Sequence, residues 1–262
     1  MTDRTYGTRL PGMPTEPLTG RLVVIEGPDG SGRTTEVALL KTHLEVEGHA
    51  VVDTGLRRSD LVSDEIDRAK QGHTLGATTL ALLYAVDFAD QLENKIIPAL
   101  AAGSTVLADR YIYTLMARAI ARGASREWAR ELYGFALRPD LVLFLEARPE
   151  ILLHRSIGKY GSLDYWESGM DLSLSRDLFE SFFLYQDRLS REFDWMAGQY
   201  GFQRVDANRA PEQVHEDVRR LVAPLYGGAA SARESARSRR VSRPASRAVS
   251  GSGARAGARR PA

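Results

Sequence analysis

The sequence predicts an α/β protein: a five-stranded parallel sheet flanked by helices on both faces. Two observations carry this. Five short apolar runs recur along the chain without the polar–apolar alternation of a half-exposed strand, as in strands covered on both faces. Helical segments separate each run from the next, which brings every strand back in the same direction.

Residues 1–20 hold three prolines and three glycines and no periodicity, and are expected to form a disordered leader. Order is expected from Arg21, with a first strand at 22–25 and a helix over 35–48. A second strand follows at 50–52, then a long helix from about 78 to 102 and a third strand at 105–108. The spacing predicts helices over 126–137, 149–157, 174–199 and 211–225, and strands at 141–145 and 202–205. Pro149 and Pro211 suit the first turn of their helices, where the missing N–H is not needed. Trp166, Trp195 and the Phe179, Phe182, Phe183 cluster are expected in the core. The body, 21–226, has a size that one core serves. The tail, 227–262, is Gly, Ala, Ser, Arg and Pro with few large apolar residues, and is expected to be disordered.

The 262 residues carry 35 Lys+Arg against 34 Asp+Glu and no cysteine, which excludes a disulfide scaffold, a thiolate metal site and cysteine catalysis. No apolar run approaches the roughly 18 residues of a membrane span, and the polar start lacks a signal-peptide core, so no membrane association is expected and the cytoplasm is the expected compartment. Charge is uneven: residues 227–262 hold nine arginines and one acid, Glu234, so the body is acidic and the tail basic. The tail suits salt-sensitive binding to a polyanion, although it has no aromatics to stack bases; a solvated extension is the simpler reading.

Between the first strand and its helix lies Gly27-Pro28-Asp29-Gly30-Ser31-Gly32-Arg33-Thr34-Thr35, a strand–loop–helix phosphate-binding pattern. Its glycines let backbone N–H groups converge, and the helix N-terminus adds positive charge, so a nucleotide phosphate fits there. Thr34 stands where the pattern puts a magnesium-ligating hydroxyl. Arg33 replaces the usual lysine, with a planar fork in place of a compact ammonium.

With that loop placed, residues 21–225 resemble the thymidylate kinase family. Ile25-Glu26-Gly27-Pro28-Asp29-Gly30 is similar to its P-loop, Asp109-Arg110-Tyr111 to its Asp-Arg-Tyr motif, and Arg138-Pro139-Asp140 to the approach to its fourth strand. Arg155 and Lys159, with Asp164-Tyr165-Trp166-Glu167 after them, resemble its lid, and Val205-Asp206-Ala207 the edge of its adenine pocket. The resemblance implies a P-loop kinase fold with a short helical lid, ATP as phosphoryl donor, Mg2+, a nucleoside monophosphate acceptor and a homodimer packed through helices. It implies that Arg33, Arg110, Arg155 and Lys159 neutralise moving phosphate, and that Thr34 and Asp109 serve the metal, Asp109 alternatively orienting Arg110. Asp29, Arg110, Tyr84 and Asp87 fall on acceptor positions, and Gly27 to Thr35 with Asp206 and Ala207 on the ATP site.

Three acceptor positions depart from the family pattern. Phe88 stands where an Arg reads the thymine edge, Arg118 replaces a Tyr against the deoxyribose, and the phosphate-contacting Arg after the second strand must come from Arg57 or Arg58. The leading expectation is dTMP + ATP to dTDP + ADP. A kinase for another, more anionic acceptor and a catalytically weak nucleotide-binding relative are the alternatives.

Overall fold

A computed structural model describes residues 4–8, 11–12, 17–72 and 75–227. One compact unit ends at Leu225, and a second begins at Tyr226, described only at residues 226 and 227. The expected disordered tail therefore lies almost wholly outside the described residues.

The strands are β1 (Arg21–Glu26), β2 (Val51–Gly55), β3 (Thr105–Asp109), β4 (Leu141–Glu146) and β5 (Gln203–Asp206), all parallel in the order β2-β3-β1-β4-β5. Nine α-helices are described: α1 (Arg33–Val46), α2 (Ser63–Gln71), α3 (Ala77–Gln91), α4 (Ile97–Ala101), α5 (Ile112–Ala121), α6 (Arg126–Leu132), α7 (Pro149–Tyr160), α8 (Leu178–Tyr200) and α9 (Pro211–Val222). A π-helical turn over Leu92–Ile96 joins α3 to α4, so the long helix read from sequence runs through, widened just before Pro98, which cannot donate a helical hydrogen bond.

The absence of alternation in the strands has the expected cause. Leu22, Val24, Val106, Ala108, Val142 and Phe144 pack in the core with α3, α5 and α8. Their neighbours Val23, Ile25, Leu107, Leu143 and Leu145 are equally buried and fall on the opposite side, as strand geometry requires. There α1 packs against α9.

Four sequence expectations change. Residues 4–7 are ordered, not a loose leader: Thr5 bridges Leu137, Tyr6 N donates to Ala136 O at 3.0 Å, and Tyr6 Oη lies 2.6 Å from Tyr113 Oη. One aromatic anchor, set against Tyr113 and Tyr200, holds this strip. Helices α2 and α5 were not expected; α5 is so apolar that eight of its ten residues are buried, which hides a helical period. The helix from Arg126 stops at Leu132, and α8 starts at Leu178 because the Asp177 side chain caps it by accepting from Glu180 N. Phe182 is core, whereas Phe179 is 47% exposed and Trp195 only partly buried.

Parallel order aligns the carboxyl ends of the strands. Ile25 and Gly55 both pair with Asp109, and Glu146 with Asp206. The phosphate-type loop follows β1 at this edge, the position where open α/β sheets bind ligands.

Candidate active site

The loop after β1 ends at Gly32, whose φ of 96° lies in the left-handed region that disfavours any side chain. The first turn of α1, with its unpaired N–H groups, borders a cavity that Asp29, Gly30, Thr35, Arg155 and Glu167 also line. Arg33 turns back into this loop. Its guanidinium donates to the carbonyls of Gly27 and Pro28, its Nε donates to Asp109 Oδ1 at 3.0 Å, and it lies 3.6 Å from Asp29. The guanidinium fork serves two carbonyls through Nη1 and a carboxylate through Nε together. Thr34 Oγ1 donates to Asp109 Oδ2 at 2.7 Å.

Asp29 is the hub. Arg110 and Arg118 both bond it, Arg118 at 2.9 Å, while Arg33 stands near, so three cations face the carboxylates of Asp29 and Asp109. Arg110 occupies a left-handed φ of 73°, a conformation costing a non-glycine residue ~1–3 kcal/mol that persists where surroundings enforce it. Burial, then the Arg118 guanidinium, pushes the Arg110 pKa below its ordinary range, and its Nε is buried without a partner among the described residues. For Arg118 burial also disfavours charge, but Tyr84, Tyr185, Glu167 and Glu26 outweigh it and raise the pKa. This excess of buried positive charge is built for an anion.

What fixes these arginines is Glu26, which sequence reading left as a motif residue. Fully buried, it accepts from Tyr111 N at 2.8 Å, Thr114 N at 3.2 Å and Thr114 Oγ1 at 2.6 Å, docking the start of α5 on the end of β1. Burial pushes its carboxyl pKa up.

Beyond Arg118 lies a second cavity, walled by Tyr84, Tyr133 and Trp166 and edged by Lys70, Arg118 and Glu167. Glu167 lines both cavities, so they adjoin. Tyr84 and Arg118, two of the residues expected to meet the acceptor, line this cavity together. Four others of that set do not line it. Phe88 is 3% exposed, packed in the core against Tyr111, Tyr133 and Phe135, because an apolar ring has no polar edge to keep it in the cleft. Asp87, fully buried, accepts from Arg57 N, Ser59 N and Gln91 Nε2, so it fastens the loop after β2 and does not line the pocket. Arg57 pairs with Asp67, and Arg58 with Asp53 at 2.9 Å.

Trp166 is buried in the core cluster, as expected, and also walls the pocket. It belongs to a strap, residues 163–173, held by Arg122: Nε donates to Asp171 Oδ2 at 2.7 Å and Nη1 to Tyr185 Oη at 2.8 Å. Lys70, Arg122 and Trp166 were missed by sequence reading. Lys70 is one of only four lysines beside thirty-one arginines, the one faint signal it carried. On α7, Arg155 donates to Gly30 O at 3.4 Å, and the Lys159 side chain lies outside the described residues. Asp206 is exposed and accepts from Asn208, and Ala207 is buried with its N–H on Glu146 O. Asp206 lines a third cavity with Pro28, Arg148 and Phe193.

The family model for thymidylate kinase matches residues 25–218. The chain belongs to the thymidylate kinase family. It is similar to "Probable thymidylate kinase 2" of Saccharolobus solfataricus, 33% identical over 78% of this chain and 96% of that relative. It is 33% identical to a thymidylate kinase of Ruegeria pomeroyi over 78% of this chain and 95% of the relative. A thymidylate kinase of Shouchella clausii is 38% identical over 52% of this chain and 67% of its own length.

As a member of the thymidylate kinase family the protein is a nucleoside monophosphate kinase with a P-loop fold. Its donor set suits a divalent cation: the Thr34 hydroxyl and the Asp109 carboxylate, 2.7 Å apart beside the loop, are the hard oxygen donors such an ion takes. No described helix is long and apolar enough to cross a membrane.

Proposed function

We propose that the protein transfers the γ-phosphoryl group of ATP to dTMP, giving dTDP and ADP. The observation that carries this reading is the convergence of Arg33, Arg110 and Arg118 on Asp29, between the phosphate loop and an aromatic-walled pocket. Phosphoryl transfer asks for positioning and charge neutralisation, and both are supported here. The donor phosphates bind the loop and the first turn of α1. Arg110 and Arg118 exchange Asp29 for the acceptor phosphate and align it with the donor, while Arg155 closes over the donor side with Lys159 and excludes water. The base lies against Tyr84. Thr34 and Asp109 are the residues that would hold Mg2+, whose charge would offset that of the β- and γ-phosphates.

A second reading has its own support. Phe88 is out of the pocket and Arg118 is in it, which favours an acceptor other than dTMP, more anionic or differently edged. A weak nucleotide binder is the third, resting on an Arg33 already engaged by its own loop. ADP formation with ATP, Mg2+ and each nucleoside monophosphate in turn separates all three. A kcat/KM highest for dTMP supports the main reading; a clear preference for another acceptor replaces it, and silence with retained ATP binding supports the third.

For assembly, we take the active form as a homodimer. Leu82 and Val86, one turn apart on α3 and 46% and 43% exposed, support a packed helix face. A cytoplasmic enzyme and a tail that touches polyanions complete the reading, the latter testable by deleting 227–262 and measuring polyanion binding at low salt.

A further inference from the structure

Lys70 closes α2 at the mouth of the second cavity, with Nζ 5.9 Å from the centre of the Trp166 ring. Among the described residues no carboxylate or hydrogen-bond acceptor holds this ammonium. Its charged neighbours include Arg118 and Arg57, and burial together with those two cations pulls its pKa down to about 8, against weaker support from Asp164 and Glu167. A half-buried cation beside other cations, with an aromatic ring but no carboxylate against it, carries an electrostatic cost that an arriving anion removes. Arg118 lines the same cavity as Lys70 and bonds Asp29, so a phosphate drawn to Arg118 is the anion that Lys70 can meet. Meanwhile the two arginines expected to grip that phosphate are engaged elsewhere, Arg57 with Asp67 and Arg58 with Asp53.

We propose that Lys70 is a phosphate-reading residue of the acceptor site, supplying the positive charge that Arg57 and Arg58 do not bring into the cavity. This rests on the kinase reading above and deepens it: the substrate class is a nucleotide already bearing a 5′-phosphate, and the corresponding nucleoside is refused largely through Lys70, Arg110 and Arg118.

The test compares dTMP with thymidine by calorimetric titration of the full-length protein, wild type against Lys70→Met and Lys70→Arg. A charge-assisted hydrogen bond is worth roughly 10- to 100-fold in affinity. Lys70→Met should weaken dTMP by about that factor and leave thymidine within about twofold, and Lys70→Arg should restore most of the loss, which no packing role predicts. Folding should survive, because the bond that Trp166 Nε1 makes here is to the Lys70 backbone carbonyl, not its side chain. Equal losses for nucleotide and nucleoside would assign Lys70 to the base or to the wall, and unchanged dTMP affinity would leave it no role; either overturns the proposal while the kinase reading stands. If wild type prefers another nucleoside monophosphate, the same comparison is made with that nucleotide and its nucleoside. If wild type binds no monophosphate at all, the kinase reading itself falls and this proposal with it.

Discussion

Consecutive residues, 27–35, make the phosphate-type loop, whereas the aromatic-walled pocket draws Lys70 from α2, Tyr84 from α3, Arg118 from α5 and Trp166 from the strap. The loop holds itself: Arg33 bonds the carbonyls of Gly27 and Pro28 within it. The pocket is held from outside, by Arg122 on Asp171, Asp87 under the loop after β2 and Glu26 beneath α5. Local construction tolerates a change such as Arg for Lys, because the backbone still sets the phosphate site. Distributed construction lets specificity drift, since each wall can be replaced separately. The same fold can thus keep its chemistry while the walls of the pocket are replaced.

The largest effect should come from the loop. Arg33→Met is expected to lower kcat by ~10²–10³, the usual loss on removing a charge-stabilising group from a transition state. Arg33→Lys should retain kcat within about tenfold, because it keeps a positive charge at the start of α1 beside the loop. Steady-state kinetics with ATP and the best acceptor decide it. A large gain in Arg33→Lys would reverse the comparison, making the loop the drifted element.

Next is the strap. Gly169 has a φ of 65°, and a Cβ there would stand 2.7 Å from the Tyr185 ring, against its fixed base and not a flexible end. Gly169→Ala should displace Trp166 from the pocket, raising KM for the acceptor by roughly tenfold and leaving KM for ATP unchanged. Parallel rises in both constants would mean that the two sites are not built independently.

The contrast also governs what the sequence makes legible. Five strands, their parallel sense and the loop could be read because each rests on contiguous patterns: apolar runs, glycines, first-turn prolines. Tyr84 and Arg118 were readable as positions in family motifs, yet Phe88 and Asp87 in the same stretch turn elsewhere. Phe88 sits one turn after Tyr84 on the same face of α3, and that one turn along the helix takes it past the cavity that Tyr84 lines and among Tyr111, Tyr133 and Phe135. Neither Lys70, marked only by the rarity of lysine, nor Trp166, read as core and as part of a lid-like stretch, carried a local signal that they meet at one pocket. Their meeting depends on the strap crossing to α2, a contact 96 residues apart in sequence. The ordered start of the chain was invisible for the same reason, since Tyr6 is held by partners at 113 and 200.

The smaller effects follow from pH and from that start. Lys70 faces Arg57 and Arg118 and, across from the strap, Asp164 and Glu167, with Tyr84 and Tyr133 in the same pocket; its pKa of about 8 makes it the group there that titrates near neutrality. Acceptor KM should therefore rise several-fold as pH passes from 7 to 9, as the ammonium is lost, while KM for ATP stays flat. The stability trend has the opposite sign. The unfolded chain keeps this proton to about 10.5 and the folded one only to about 8, so Lys70 alone makes stability rise between those values. A flat acceptor profile in wild type, or an equal rise in Lys70→Arg, would remove Lys70 from the pH response.

Smallest is the brace behind the pocket. Tyr6 Oη and Tyr113 Oη share a 2.6 Å hydrogen bond, and Tyr113 lies on α5 five residues before Arg118. Burial pushes both phenols above the ordinary tyrosine range, so the bond stays neutral at working pH. Tyr6→Phe removes one partner and leaves the Tyr113 hydroxyl buried, at a cost of ~1–2 kcal/mol in urea unfolding. Neither KM should move, because Glu26 fixes the start of α5 independently of the brace. If acceptor KM rises along with the lost stability, the pocket's outside support extends to the first residues of the chain, and the distributed site is larger than its walls.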